Sequence, residues 1–291
     1  MSLVQEEDLI YNLPKDGPSV EEVKKYLNKY NDEFIVIKCG GSVLIDPNLF
    51  NIFIQDIAVL KKIGLSPIIV HGGGKRINNK LNKLKIKSNF IKGLRVTDKK
   101  TIKVVEEVLI EFNKEITHAL NLQSCNTKKI TSREDNIIKV RPESRDLGYV
   151  GMPTEINTEY LKEIIKLNKI PVVAPLGLNE KNQTFNINAD TAAGAIAKSL
   201  KARRLLIISD VEGVLNKNKK LISEINSKKA KEMIDNEIIS GGMIPKVNNC
   251  LDVASNGVKG VVIIDGRKSH SILFELLSDK GSGTLIREWK N

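Results

Sequence analysis

The chain has 291 residues, which is enough for one large α/β domain or for two lobes. Hydrophobic residues make up 41% of it and charged residues 28%, as in ordinary globular proteins. No apolar run approaches the roughly 20 residues that span a bilayer, and the first residues lack the basic and apolar regions of a secretory signal. We therefore expect no membrane association and a cytoplasmic location.

The net charge of +11 comes from 46 basic and 35 acidic side chains. Such an excess is compatible with nucleic-acid binding, but the lysines are dispersed and aromatic residues, at 4%, do not alternate with them. We expect no nucleic-acid partner and an attraction for anionic substrates instead. The cysteines and histidines are scattered without ligand-like spacing, which predicts neither a disulfide framework nor a metal site: Cys39, Cys125, Cys250, His71, His118 and His270.

The first 31 residues are expected to form an arm ahead of the main domain. Residues 1–18 lack hydrophobic periodicity, which predicts a loose segment. A helix should begin at Ser19, because Ser19 and Glu22 have the spacing of a capping box. No strand precedes this helix, so we interpret it as an addition to the core, with a possible role in assembly.

From Phe34 onward, short apolar strands alternate with amphipathic helices. The predicted strands, in chain order, are the runs FIVIK, SPIIVH, IPVVAP, RLLIIS, GVVIID and GTLI, with several shorter ones between residues 125 and 156. The predicted helices begin at Asp46–Pro47, Lys75, Thr97–Asp98, near residue 158 and at Ala189, with others towards the C-terminus. This alternation predicts an α/β fold, in which a mainly parallel sheet is sandwiched between helices.

Two of the predicted strands end in glycines. Lys38 precedes Gly40 and Gly41 after the first strand, and Gly72–Gly74 follow the second. Glycine at the carboxyl end of a strand lets backbone N–H groups approach a phosphate, although a single such cluster is often only a tight turn. The spacings GxxxxGK[ST] and GxGxxG are both absent, which excludes a Walker nucleotide site and argues against a dinucleotide-binding oxidoreductase.

Several polar residues lie in unusual settings and have two readings each. Arg95 lies between apolar neighbours, so it either binds a carboxylate or forms an internal salt bridge. The segment FNINAD alternates polar and apolar residues, with Asn186, Asn188 and Asp190 as the polar ones. These side chains are either polar groups on one face of a strand end or helix caps and part of a turn. Lys246 is a single cation between a glycine bend and an apolar stretch, and is either surface charge or directed at an anion.

Taken in order, the motifs KCGG, HGGGK, GLRVTD, NINAD, SDVEGVL and GGMIPKV resemble those of the acetylglutamate kinases, within the amino acid kinase superfamily. The resemblance covers roughly residues 33–287. It implies an amino acid kinase-like fold and an enzyme that phosphorylates the side-chain carboxylate of N-acetyl-L-glutamate in arginine biosynthesis. ATP would be the phosphoryl donor, with Mg²⁺ bound to the nucleotide.

The resemblance also implies roles for individual residues. Lys38 and Lys246 would be catalytic cations, and Asp190 would hold them in place. Substrate binding would fall to Gly73, Gly74, Arg95 and Asn186. The ATP-binding residues would be Gly40, Gly41, Asp210, Val211, Glu212, Gly213, Val214, Leu215, Ile238, Ile239, Ser240, Gly241, Gly242 and Met243. A carboxylate nucleophile is already ionised at neutral pH, so no catalytic histidine is needed and His71 is expected to be structural.

The implied division of the chain is an arm in residues 1–31, an acceptor-substrate lobe in 32–202 and a nucleotide-binding lobe in 203–291, as one continuous domain. Two alternatives remain at this stage. The chain could be another amino acid kinase acting on a different carboxylate, carbamate or phosphate acceptor. It could instead be a non-catalytic regulator or a basic nucleic-acid binder.

The chain departs from the family pattern in residues 127–137, at Cys39, and at Lys75 and Arg76, where many relatives have proline and glutamine. The helical arm and the C-terminal sequence resemble the arginine-inhibited, hexameric branch, whose effector-binding pattern Glu275 and Gly281 match. Val262 replaces a histidine of that pattern, so we expect a weak arginine response. The helix face that includes Tyr26, Leu27 and Tyr30 is predicted to pair with a neighbouring copy, giving a hexamer, or to fold back on its own core, leaving a dimer.

Overall fold

A computed structural model describes residues 6–288 of the chain. Ten α-helices lie in that range: α1 Glu6–Asn12, α2 Val20–Leu27, α3 Pro47–Lys62, α4 Gly74–Lys83, α5 Lys99–Leu122, α6 Thr158–Lys166, α7 Ala189–Leu200, α8 Ser227–Asp235, α9 Met243–Ser255 and α10 Ser271–Leu277. Short 3-10 helices cover Asn28–Tyr30, Gly41–Leu44 and Arg145–Leu147.

The same range contains fourteen β-strands. They are β1 Ile35–Cys39, β2 Pro67–His71, β3 Phe90–Ile91, β4 Leu94–Arg95, β5 Thr127–Ile130, β6 Ile138–Pro142, β7 Gly151–Ile156, β8 Ile170–Val173, β9 Leu176–Leu178, β10 Thr184–Asn186, β11 Arg204–Ser209, β12 Glu224–Ile225, β13 Val261–Asp265 and β14 Gly283–Ile286. Eight of these form a central sheet in the order β12-β14-β13-β11-β1-β2-β8-β5. All its pairs are parallel except β13 with β14.

Helices cover both faces of the central sheet, as the alternation of strands and helices predicts. Val36 of β1 belongs to a buried cluster shared with α6, α7, α8 and α9. Ile35 and Ile37, one residue to either side, belong to a cluster on the opposite face, shared with α3, α5 and α10. Successive side chains of a strand point to opposite faces, so this strand is buried on both. The predicted α/β class is confirmed.

A smaller sheet and a two-stranded ribbon are formed by strands that lie between β2 and β11 in the chain. The four-stranded sheet has the order β10-β9-β6-β7, and β3 pairs with β4 in antiparallel register. Leu215 and Leu221 form an isolated antiparallel bridge around the lysine-rich hairpin-like stretch. No helix among residues 6–288 is long and apolar enough to cross a membrane.

The predicted helix starts are confirmed where a capping side chain marks them. Ser19 and Glu22 form both hydrogen bonds of a capping box. The Asp46 side chain accepts from the Asn48 and Leu49 amides ahead of α3, and Asp98 accepts from two amides at the start of α5. Each such cap satisfies backbone N–H groups that the first turn of a helix leaves without partners.

The prediction for the arm is wrong in two respects. Residues 1–18 are not a loose segment throughout, because α1 forms there and its Leu9 side chain is buried. The apolar face of α2 and the following turn is not left in water either. Val23 and Tyr30 are buried in the cluster that includes α3 and α10, and Tyr26 packs against it. The arm therefore folds onto its own core.

Candidate active site

The two glycine turns lie side by side because their strands are neighbours. In the parallel pair of β1 and β2, Cys39 lies opposite His71, so both strands end at the same edge of the sheet. The Gly72 amide donates a hydrogen bond to the Cys39 carbonyl at 2.7 Å, which joins the turns directly. Ligands of open α/β sheets bind beyond the carboxyl ends of the strands, so this edge is the expected place for a site.

A cavity of about 280 Å³ opens at this edge. We call it the acceptor cavity, and its lining includes most of the residues predicted from the sequence for catalysis and substrate binding: Lys38, Gly73, Gly74, Arg95 and Asn186. Gly40 and Gly41, which were predicted to bind ATP, line it as well. Lys75, Arg76 and Phe90 also line it. Asp190 follows its wall residues Asn188 and Ala189 in the first turn of α7.

Asp190 lies between the two predicted catalytic lysines. Lys38 Nζ is 2.9 Å from Asp190 Oδ1, and Lys246 donates a hydrogen bond to Oδ2 at 2.8 Å. Burial alone would raise the pKa of Asp190, but the charges of Lys38 and Lys246 outweigh it and hold the pKa well below its ordinary value. One carboxylate therefore orders two ammonium groups and leaves a net positive charge for an anion.

Local sequence explains how Asp190 reaches this position. The Asn188 side chain caps α7 and accepts from the amides of Asp190 and Thr191. The cap reading of Asn188 is therefore correct, and it places Asp190 in the first turn of α7. Lys246 lies in the first turns of α9, and α7 and α9 pack against each other. The question raised by Lys246 is also answered: its cation faces a carboxylate inside the molecule.

Arg95 is a buried cation with neutral partners. It is 7% exposed and donates to Asn78 Oδ1 at 2.7 Å, to Ser88 Oγ and to the Gly74 carbonyl at 3.2 Å. Its guanidinium lies 4.7 Å from the centre of the Phe90 ring. Among residues 6–288 it forms no salt bridge, so the internal-salt-bridge reading is wrong. A buried guanidinium that lines a cavity is suited to an anionic ligand.

Asp210 connects the first glycine turn with the second. Its Oδ1 accepts from the Ser42 amide at 2.7 Å, and Lys75 Nζ lies 3.5 Å from its Oδ2. Gly41 has φ +68°, and a Cβ there would lie 2.4 Å from Asp210 Oδ1. Glycine is thus needed at position 41 both for its backbone and for the close approach of the carboxylate.

A second cavity, of about 370 Å³, lies beyond the end of β11. It brings together two segments that are well separated in the sequence and that the resemblance assigns to ATP: Val211, Glu212, Gly213, Val214, Leu215, Ile238, Ile239, Ser240 and Met243. Gly241 and Gly242 lie in the turn just before α9. Gly40 and Gly41 instead line the acceptor cavity, where Gly41 touches Asp210, the neighbour of Val211.

Some residues at these cavities were not found from the sequence. Arg267 lines the second cavity and is held by the Asp265 carboxylate through two hydrogen bonds of 2.8 Å. Asn78 and Ser88, which orient Arg95, were also missed. Asn78 had a weak signal, because it is a polar residue directly after Ile77, which begins the buried face of α4.

The atypical segment 127–137 lies away from the lining of the acceptor cavity. It contains β5, the edge strand of the central sheet, and a loop that Glu106 of α5 holds through Ser132 and Arg133. Arg76, another of the departures, makes hydrogen bonds of 2.8 and 2.7 Å to Glu115 and stacks 3.9 Å above Phe112. Arg76 thus fixes α4 against α5.

The two predicted effector residues also lie together. Gly281 has φ +61°, and a Cβ there would be 3.2 Å from Glu275 Oε2. The same carboxylate oxygen accepts from the Ser282 amide at 2.7 Å. Burial raises the pKa of Glu275. Val262, which replaces the expected histidine, is fully buried in β13.

Comparison with known proteins gives the class first. The model of the amino acid kinase family matches residues 33–265. N-acetylglutamate synthase from Neisseria gonorrhoeae, solved with coenzyme A and N-acetyl-glutamate, has a similar structure, with a TM-score of 0.85 at 21% identity. The match covers 93% of this chain and 63% of that one, and it shows the fold alone.

The sequence relatives are more specific. An acetylglutamate kinase from Pelagibacter ubique (strain HTCC1062) is 74% identical over 99% of this chain and 100% of its own length. A second, from Campylobacter fetus subsp. fetus (strain 82-40), is 45% identical over 90% of this chain and 94% of its own. The chain therefore belongs to the amino acid kinase family and, within it, to the acetylglutamate kinases.

Proposed function

We propose that the protein transfers the γ-phosphoryl group of ATP to the side-chain carboxylate of N-acetyl-L-glutamate. The products are N-acetyl-L-glutamyl 5-phosphate and ADP, and the reaction belongs to arginine biosynthesis. The observation that carries this proposal is the pair of lysines, Lys38 and Lys246, held on one half-buried Asp190 beside a cavity with a buried arginine. The full-length match to an acetylglutamate kinase supports the identity of the acceptor.

The chemistry asks for charge neutralisation and no general base. A glutamate side chain has an ordinary pKa of about 4.3, so the nucleophile is ionised at neutral pH. During transfer, negative charge spreads over the oxygens of the phosphoryl group and the leaving group. Lys38 and Lys246, kept in place by Asp190, stabilise that charge in the transition state.

The acceptor is held by the walls of the acceptor cavity. Arg95 offers its planar donors to the α-carboxylate, which leaves the side-chain carboxylate directed at the lysines. Gly73 and Gly74 supply backbone amides, and α4 begins at Gly74 with the positive end of its dipole. Asn186, at the end of β10, completes the wall and donates to Thr97 Oγ1 at 3.4 Å.

The nucleotide takes the second cavity, with its phosphates directed towards Gly40, Gly41 and Asp210. Mg²⁺ keeps several waters and is commonly held by substrate phosphates, so we propose that it enters the site with the nucleotide. When bound with the nucleotide, Mg²⁺ neutralises phosphate charge. We propose that residues 32–202 form the acceptor lobe and residues 203–291 the nucleotide lobe of one continuous domain. We also propose that the enzyme acts in the cytoplasm.

The test is an assay of ADP release with N-acetyl-L-glutamate, L-glutamate, L-aspartate, carbamate and UMP as candidate acceptors. We expect turnover with N-acetyl-L-glutamate and only background with the others. Turnover with a different acceptor and none with N-acetyl-L-glutamate would refute the proposed substrate. The same experiment with added L-arginine tests the effector residues Glu275 and Gly281, for which we propose weak inhibition.

A further inference from the structure

A buried histidine and a buried asparagine lie directly beneath the second glycine turn. His71 ends β2 and Asn113 lies in the middle of α5, and both side chains belong to fully buried residues. Asn113 Nδ2 is 3.2 Å from His71 Nε2 and also donates to the Val172 carbonyl of β8 at 2.9 Å. His71 Nδ1 lies 3.0 Å from the Gly72 carbonyl oxygen.

These contacts are compatible with one protonation state of the imidazole. The Gly72 carbonyl can only accept a hydrogen bond, so the proton must be on Nδ1. The Asn113 amide nitrogen can only donate, so Nε2 must be the acceptor. Burial lowers the pKa of His71 to about 4, and the ring is neutral at physiological pH.

The hydrogen bond from Nδ1 acts on a peptide group that would otherwise be poorly fixed. On one side, the Gly72 amide donates to the Cys39 carbonyl at 2.7 Å, and on the other the Gly73 carbonyl accepts from Ile77 at 2.8 Å. The peptide between Gly72 and Gly73 has a glycine on each side, so steric resistance to rotation is small. Within residues 6–288, the Gly73 N–H makes no hydrogen bond to the protein.

The planarity of the peptide turns this contact into control of an amide direction. In a trans peptide the C=O and N–H groups point in opposite directions. Holding the Gly72 oxygen against His71 therefore directs the Gly73 N–H away from the buried imidazole. Gly72 and Gly73 both line the acceptor cavity.

We propose that His71, held by Asn113, is a positioning residue that locks the Gly72–Gly73 peptide so that the Gly73 N–H is presented to the acceptor substrate. The inference rests on the proposed function, because it assumes that the acceptor occupies the acceptor cavity. His71 touches neither the substrate nor the transferring phosphoryl group. Its contribution passes through the backbone of the glycine turn.

Substitutions at His71 separate this role from general packing. His71→Asn keeps a donor near the position of Nδ1, whereas His71→Phe keeps the ring and removes both nitrogens. Loss of one hydrogen bond worth about 1–1.5 kcal/mol corresponds to a roughly 5- to 12-fold effect. We expect His71→Phe to raise KM for N-acetyl-L-glutamate by about this factor and to leave KM for ATP within about twofold. His71→Asn should recover most of the acceptor affinity.

His118→Phe is the matched control, because His118 lies on the exposed face of α5. It should leave both KM values unchanged. If His71→Phe does not fold, His71→Gln takes its place, because its amide corresponds to the Nε2 position and does not reproduce the Nδ1 donor. A variant that lacks the Nδ1 donor and binds N-acetyl-L-glutamate like the wild type would overturn the inference.

The tautomer is tested directly by ¹⁵N NMR of the histidine rings. The wild type should show a neutral His71 with its proton on Nδ1 at pH 7. In Asn113→Asp, a carboxylate faces Nε2, so His71 should become protonated at a higher pH than in the wild type. Thr117→Val, a buried substitution one turn along α5, should leave the His71 signals unchanged. A wild-type proton on Nε2 would contradict the proposal.

These readouts keep the two proposals distinguishable. If the wild type shows no turnover of N-acetyl-L-glutamate, the proposed function fails, whatever the state of His71. If the wild type turns over N-acetyl-L-glutamate but acceptor KM is insensitive to His71, the function stands and the positioning role fails.

Discussion

At the scale of single residues, the central arrangement is two lysines sharing one carboxylate. Asp190 is ionised at any physiological pH, since its pKa is held far below the ordinary value. Together with Lys38 and Lys246 it carries a net charge of one positive unit. The setting is part-buried, so the electrostatic attraction between this charge and a bound anion is stronger than it would be in water. We therefore expect the two lysines to contribute to the phosphoryl-transfer step more than to substrate binding.

We predict that Lys38→Ala and Lys246→Ala each lower kcat by on the order of 10² or more. The acceptor KM should change much less, because the lysines act mainly on charge that develops in the transition state. Steady-state kinetics with both substrates varied measures this. Lys198→Ala is the control, since Lys198 pairs with Asp252 on the surface. A near-normal kcat in either active-site variant would remove that lysine from the mechanism.

Arg95 should behave in the opposite way. A charge-assisted bidentate contact is worth about 1.5–3 kcal/mol, so Arg95→Ala should raise acceptor KM by roughly 10- to 150-fold. The KM for ATP should change little. The acceptor KM of Arg95→Lys should lie between those of the wild type and Arg95→Ala, because lysine keeps the charge but lacks the planar pair of donors. Arg141→Ala, on the exposed side of β6, serves as the control. An unchanged acceptor KM in Arg95→Ala would exclude the role.

At the scale of elements, the arm illustrates what the sequence could and could not predict. The start of α2 was predictable because its cap depends on Ser19 and Glu22, three residues apart. Helix α1 was missed because it has only seven residues and because its buried Leu9 side chain packs against distant parts of the chain. Tyr30 is buried for the same reason, through contacts that no local pattern encodes.

The site shows the same division. The glycine turns and the polar residues after strands were visible as local motifs, and the family resemblance gave them roles. The convergence of Lys38, Asp190 and Lys246 on one point depends on strand order and on the packing of α7 against α9. Asn113 went unnoticed within a long amphipathic helix, although a polar residue between the buried Phe112 and Ile116 was a usable signal.

The exposed face of α1 is the part of the arm still available for self-association. Ile10 is 62% exposed and Tyr11 87%, whereas Val23 and Tyr30 are committed to the core. We propose that the arms pair through α1 and that the protein forms a hexamer. Ile10→Ser with Tyr11→Ser should then reduce the number of subunits measured by light scattering. Deleting residues 1–30 would be a poorer test, because it would also uncover the core.

The control for this experiment is Leu122→Ser with Leu167→Ser, which removes two exposed apolar side chains from α5 and the end of α6. It should leave the subunit number unchanged. If the α1 variant and the wild type have the same mass in solution, the arm does not determine assembly, and a dimer built without it becomes the better description.

At the scale of the whole molecule, a charge cluster centred on the buried His270 and Asp56 ties the arm to the core. His270 Nδ1 lies 2.6 Å from Asp56 Oδ1 in α3, and its Nε2 lies 3.2 Å from Asp16 Oδ1 in the arm. The hydrogen bond to Asp56 raises the pKa of His270. Burial raises the pKa of Asp56 to about 6, although His270 opposes it.

Both shifts have the same sign for stability. A raised pKa means that the folded state holds the proton more tightly than the unfolded state. The His270 contribution is complete below its unfolded pKa of about 6.5 and is lost as pH rises through the higher folded value. The cost of ionising Asp56 grows as pH rises from about 4 to about 6. Together they predict that stability falls as the pH rises from about 4 and continues to fall as the pH passes through the raised pKa of His270.

His270→Asn tests this, since asparagine tolerates the left-handed backbone at position 270, where φ is +52°, and does not titrate. In the wild type, the free energy of unfolding in urea should fall by on the order of 1–3 kcal/mol between pH 4 and pH 8 from these groups. Because His270 lowers the pKa of Asp56, the fall should become smaller when both groups are removed, in His270→Asn combined with Asp56→Asn. At the same protein concentration, His118→Asn should match the wild type. Equal pH dependence in the wild type, the double variant and His118→Asn would contradict the role of the His270–Asp56 pair.

The central sheet has a consequence for how the chain folds during synthesis. Strand β1 lies in the middle of the sheet, and one of its two partners, β11, begins about 165 residues later in the chain. At roughly 5–20 residues per second, a ribosome takes on the order of 10–30 s to make that interval. Until then β1 can pair with β2 alone, and its other edge, flanked by buried apolar side chains, is open to incorrect partners. We therefore expect that chaperones must shield the nascent chain of this protein until β11 has emerged.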